Sequence, residues 1–121
     1  MKIRIRGNSV RYRLTKTEVE TFCKTGHVME NTHFPNSTFM YALQAREGTE
    51  KLRATFLGDT ITLYLSKSLS TDWADNDTVG FSDTVTLESG EKLFLLVEKD
   101  FVCLDATIED QADNYPNPLA D

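Results

Sequence analysis

Five cations, Lys2, Arg4, Arg6, Arg11 and Arg13, fall within the first thirteen residues, MKIRIRGNSVRYR. Guanidinium groups hold phosphate and carboxylate through paired N–H donors, so several on one surface make an anion site. The distribution of charge sharpens the point. Residues 1–16 carry six of the 13 Lys and Arg and no acid. The other seven cations stand against all 19 acids, a balance of -12 in a chain whose net charge is -6. Such asymmetry raises internal neutralisation, by Glu98, Asp100 or an acidic C-terminal segment, beside capture of an external anion. Lys51 and Arg53 flank Leu52 in a strand-like run and extend the basic face. The candidate anion-binding set is therefore Arg4, Arg6, Arg11, Arg13 and Arg53.

Other chemistry is thinly represented. Asp105, Glu109, Asp110 and Asp113 form an acid cluster, but their spacing matches no EF-hand loop and the turn glycine is missing, so no metal site is assigned. His27 and His33 are separated by five residues, a loop-like spacing and not a helical i, i+4 ligand pair. Cys23 and Cys103 lie eighty positions apart without a CxxC pair and read as reduced, buried thiols. No G-x-S-x-G elbow, glycine-rich phosphate loop or nucleophile–base pair is recognisable, so the catalytic case is weak and no cofactor is implied. Triphosphate-hydrolysing barrels line their lumen with alternating cations and glutamates. KIRIR and VRYR would supply the cations, but the E-x-E-x-K strand is absent.

The elements that must position the cations follow from periodicity. Ile3 and Ile5, then Val10, Tyr12 and Leu14, alternate with charge, the period-2 mark of strands with one buried face. A two-residue turn at Gly7-Asn8 sets Ile5 opposite Val10 and Ile3 opposite Tyr12. It also sets Arg4 opposite Arg11 and Lys2 opposite Arg13. Like charges across a strand pair repel, so something anionic should lie near them.

In LTKTEVETFCKTG, Thr15 and Glu18 form a capping box, Leu14 and Val19 a staple, and Gly26 a stop, predicting a helix over 16–25. His27–Glu30 reads as a short strand. The run from Ser37 to Ser66 reads as a meander. Its Gly58-Asp59 turn pairs Phe56 with Ile61, Ala54 with Leu63 and Leu52 with Leu65. An earlier turn at Glu47–Glu50 aligns Ala45 with Leu52, Leu43 with Ala54 and Tyr41 with Phe56. SLSTDWADND reads as a helical turn with Leu69 and Trp73 on one side. A last hairpin turns at Ser89–Glu91, with Glu88 able to face Lys92. Leu93–Val97 has the continuous apolar character of a strand covered on both faces, and Phe101–Leu104 continues it.

The segments KIRIRGNSVRYRLTKTEVE, VEKDFVCL and EDQADNYPNP, in this order, resemble a family of short bacterial proteins of unknown function. The resemblance spans nearly the whole chain and implies bacterial origin and a single domain, with no catalytic residues to carry over.

The expected architecture is α+β: a curved, mostly antiparallel sheet of six or seven strands, with helix 16–25 on its apolar face and a second short helix. Residues 1–105 form one globular domain and 106–121 an acidic tail, extended or mobile. The apolar content of 40% suits a folded domain. No run approaches the roughly 18 apolar residues of a membrane span, and no signal-peptide core follows MKIRIR, which points to the cytoplasm. A pI near 4.9 disfavours nucleic acid. The function expected is a non-enzymatic binding or assembly module with a small-anion or protein partner. The alternative is an anion- or phosphate-binding protein, or a phosphate-processing one, built on the basic strand pair. An uncovered edge strand leaves a homo-oligomer open.

Overall fold

The computed structural model describes residues 1–48 and 50–101. The opening alternation folds as the sequence predicts: β1 (Lys2–Arg6) and β2 (Ser9–Leu14) pair antiparallel across Gly7-Asn8, with Ile5 opposite Val10 and Arg4 opposite Arg11. Gly7 takes φ +54°, a conformation a β-carbon disfavours. Helix α1 (Lys16–Thr25) starts at Thr15, whose side chain accepts from the Glu18 amide while the Glu18 carboxylate accepts from the Thr15 amide. It ends at Gly26, in the left-handed region, whose N–H donates to Phe22 O.

Three more hairpins follow. They are β3 (His27–His33) with β4 (Thr38–Arg46), β5 (Leu52–Leu57) with β6 (Thr60–Ser66), and β7 (Gly80–Thr86) with β8 (Lys92–Lys99). Between β6 and β7 lie a short helix α2 (Lys67–Ser70) and a 3-10 turn at Trp73–Asp75.

The expected single sheet is in fact two. Among the described residues the strand orders are β1-β2-β8-β7 and β3-β4-β6-β5, eight strands where six or seven were expected. Each sheet joins two hairpins through a central parallel pair, β2 with β8 and β4 with β6, so the antiparallel expectation holds only for the outer pairs. The first strand of every hairpin is an edge and the returning strand is interior. The Phe56–Ile61, Ala54–Leu63 and Leu52–Leu65 pairs form as expected. The pairing of Ala45 with Leu52 does not, because β6 inserts between β4 and β5 and sets Tyr41, Leu43 and Ala45 against Ile61, Leu63 and Leu65. Both arrangements bury the same alternate residues, so strand phase could not separate them.

The inward faces meet in one core. Tyr12, Leu14, Leu95 and Val97 of the first sheet and Leu43, Leu52, Leu63 and Leu65 of the second are fully buried together with Val19 and Phe22 of α1 and Trp73. Each such side chain contributes roughly 1.5–3 kcal/mol on leaving water. Polar links cross the core: the Tyr12 hydroxyl donates to Ile61 O at 3.0 Å, and its ring lies 5.8 Å from that of Tyr41. Burial holds the Tyr12 phenol well above its ordinary value. At one side, Asp83 of β7 accepts from the Leu52 amide of edge strand β5 at 3.2 Å. Gly80 lies against β8 so closely that a β-carbon would stand 2.4 Å from Val97 O.

Candidate anion-binding face

Phase sends Ile3, Val10, Tyr12 and Leu14 inward, and Lys2, Arg4, Arg6, Arg11 and Arg13 to the outer face of the first sheet. The parallel ladder then adds β8 to that face. Ser9 lies opposite Phe94, Arg11 opposite Leu96 and Arg13 opposite Glu98. Arg11 and Arg13 stand on an interior strand, not an edge, and their side chains are only 39% exposed.

The anion demanded by the cross-strand cations is present within the fold. Glu98, its side chain 19% exposed, offers Oε1 to Arg13, which donates from Nε at 3.2 Å and Nη2 at 3.1 Å. Arg11 Nε stands 3.9 Å from the same oxygen. Lys2 Nζ donates to Asp100 at 3.0 Å, just beyond the end of β8. Among the described residues neutralisation is nevertheless partial: five cations on the strand pair meet two carboxylates, and Arg4 and Arg6 have no ion-pair partner. Lys2, Ile3, Arg4, Arg11 and Arg13 wall a depression of about 260 Å³. Arg6 shares the face by phase but does not line the depression. The arrangement gathers guanidinium donors around a small concave surface, a geometry that matches the paired acceptors of an oxyanion.

Arg53 does not join them. It sits on β5 of the other sheet, paired with Glu50 and, at 3.4 Å, with Asp83. Sequence reasoning missed two features of the basic face. Lys92 reaches it by phase on β8, donating to Thr86 Oγ1 at 2.9 Å instead of meeting Glu88. Phe94 also lies on it, 52% exposed, so the Leu93–Val97 run is not covered on both faces by described residues. The continuous apolar run concealed this, because Leu93, Leu95 and Val97 face the core while Phe94 and Leu96 face out. A second depression of about 520 Å³, lined by Ser9, Arg11, Ser82, Thr84, Phe94 and Leu96 among others, adjoins the first across Arg11.

The far end of β1 is anchored by charge. The Met1 amine sits against the carboxylates of Glu18 and Glu30, and the Tyr41 hydroxyl donates to Met1 O at 2.7 Å. Burial pushes the Glu18 carboxyl up, but hydrogen bonds from the Met1 amine and from the Thr15 amide and hydroxyl outweigh it and hold the group below its usual value. Tyr41 is raised, first by burial and then by the Glu30 and Glu18 charges.

The remaining candidates are placed as follows. His27 and His33 begin and end strand β3, not a loop. Six residues of extended chain hold them about 20 Å apart, too far to share a ligand. The Cys23 thiol, half-buried on α1, donates to Ser70 O at 3.1 Å. Cys103, the continuation Val102–Leu104, and the acid cluster Asp105, Glu109, Asp110 and Asp113 lie outside the described residues, as does the predicted tail 106–121. Phe101 is described but is not part of a strand. Among the described residues no group of three His, Cys, Asp or Glu could hold a metal, and no helix is long and apolar enough to cross a membrane.

Comparison with known proteins adds family membership. No curated protein and no solved structure gives a significant match. A family model does, over residues 1–119, and so includes the basic hairpin, both sheets and nearly all of the C-terminal segment. The chain belongs to DUF7009, a family of unknown function.

Proposed function

We propose that this protein is a binding module whose working surface is the outer face of the first sheet, and that it takes a small oxyanion such as phosphate or pyrophosphate. The observation that carries the reading is the partial neutralisation, among the described residues, of Arg4, Arg11 and Arg13, which strand pairing holds together around the 260 Å³ depression, with Arg6 on the same face. Placement of two of these arginines on an interior strand supports it, since their positions are set by ladders on both sides. Binding rather than catalysis is favoured because the thiol of Cys23 is engaged by a backbone carbonyl and the histidines stand far apart. Arg53 serves the edge between the sheets in this reading and is not a ligand-binding group.

Thermal melting with phosphate, pyrophosphate, sulfate or a nucleotide tests it. A ligand at a hundred times its dissociation constant stabilises by roughly 2.7 kcal/mol. The shift is expected with at least one phosphate-bearing anion and is abolished by Arg4→Ala with Arg11→Ala. No shift with any of them, at low ionic strength, refutes the reading.

A further inference from the structure

The outer face of the first sheet has two halves. One is basic, from Lys2, Arg4, Arg6, Arg11 and Arg13; the other is apolar, from Phe94 and Leu96. We infer that residues 102–121 of the same chain dock on this face in cis, laying their carboxylates along the arginines and their apolar side chains over Phe94 and Leu96.

Composition, exit point and length support that occupant. The segment 102–121 carries five acids and no Lys or Arg. Among them are interspersed Val102, Leu104, Ile108, Tyr115 and Leu119, so it matches both halves of the face. The chain leaves β8 at the basic corner of the face: Asp100 donates its amide to Leu14 O and accepts from Lys2, so the segment starts beside the cations. Twenty extended residues reach roughly 65 Å, whereas a five-residue strand spans about 17 Å, so length imposes no obstacle. The family match runs to residue 119, which makes the segment part of the family's unit and not an appendage. Each exposed pair is weak alone, but a tether holds the segment at an effective concentration in the millimolar range, enough to favour its own face over a second copy.

Docking in cis does not need an external anion, and it gives the face a resting occupant that such an anion must displace. A nitroxide at Ala112→Cys, in a full-length chain with Cys23→Ser and Cys103→Ser, tests it by paramagnetic broadening of backbone amides. Broadening is expected at β1, Arg11, Phe94 and Leu96 in low salt. It is expected to fall at least fivefold in 0.5 M NaCl, where the screening length is roughly 4 Å. The same loss is expected when Asp105, Glu109, Asp110 and Asp113 are changed to their amides. Broadening that is absent, spread evenly over both sheets or insensitive to salt overturns the inference. So does broadening that appears only when spin-labelled and isotope-labelled chains are mixed, which would identify a second copy as the occupant.

Amide exchange in the chain with both native cysteines provides a second measurement should the serine variants misfold. Neutralising the four acids there lowers protection at β1 and β8 and leaves β4 and β6 unchanged; equal protection overturns the inference. Pyrophosphate affinity separates this proposal from the anion reading. If the anion reading holds, the neutralised tail raises affinity several-fold. If broadening is seen and no anion binds either form, the docking stands and the anion reading falls.

Discussion

Glu98→Gln isolates the internal answer to the basic strand pair. In the native chain one carboxylate oxygen of Glu98 accepts two donors from Arg13 and lies 3.9 Å from Arg11. The amide keeps the shape and an acceptor, but removes the charge between two guanidiniums that the β1–β2 pairing already sets beside Arg4 and Lys2. A hydrogen bond to a charged group contributes about 1.5–3 kcal/mol where it is sheltered, and an exposed ion pair only about 0.2–1 kcal/mol. With the carboxylate 19% exposed and its partners 39% exposed, the loss falls between these limits. We expect about 1–2 kcal/mol. At about 4–8 °C per kcal/mol for a domain near this size, Tm drops by roughly 4–16 °C in low salt.

The effect has a second sign that a simple packing defect would not have. Removing the carboxylate raises the local positive excess, so NaCl stabilises the variant more than the native protein. Pyrophosphate affinity rises as stability falls. Urea and thermal melts at 20 and 500 mM NaCl, with a pyrophosphate titration at low salt, measure both quantities. A variant whose Tm stays within a degree of the native value, with unchanged salt dependence, would show that Glu98 does not neutralise the arginines.

The remaining predictions concern the frame of that face and its response to pH. Gly80→Ala drives a β-carbon into Val97 O and the backbone of Glu98, and it destabilises by about 1–3 kcal/mol or more in urea melts; a neutral result would mean β7 does not lie this close to β8. Leu63→Ala, on interior strand β6, leaves a cavity between the sheets and costs about 2–5 kcal/mol by the same measurement. Glu18 is held below its ordinary value of 4.5, so its contribution is present above that pH and is lost as pH falls through the folded-state value. Glu18→Gln therefore lowers stability at neutral pH and flattens the acid limb below about pH 4.5, read from melts between pH 3 and 7. The Tyr12 phenol, raised above 10.0 by burial, contributes stability up to that pH and loses it as the solution becomes more alkaline. Tyr12→Phe flattens the loss of stability between pH 9.5 and 11; an equally steep loss would contradict a buried, neutral phenol.

The parts of this protein legible in the sequence are those specified by contacts within a few residues. The Thr15–Glu18 capping box and Gly26 delimit helix α1 without reference to any other element. The even-length turn at Gly7-Asn8 sets Arg4 against Arg11 and Lys2 against Arg13, and parity alone decides which side chains face the core. The turn at Gly58-Asp59 does the same for β5 and β6. Parity says nothing about which strand lies alongside. Joining β2 to β8 brings together residues some eighty-five positions apart, and inserting β6 between β4 and β5 buries the same alternate residues as the meander would. Those neighbours were chosen by the packing of Tyr12, Leu95 and Val97 on Leu43, Leu63 and Leu65, a long-range fit that alternation along a single strand does not encode. The candidate site divides along the same line. The clustering of Lys2, Arg4, Arg6, Arg11 and Arg13 is local and could be read directly. Their partner Glu98, the exclusion of Arg53 and the open ring of Phe94 were settled only when β8 docked beside β2 and β5 took the edge of the other sheet.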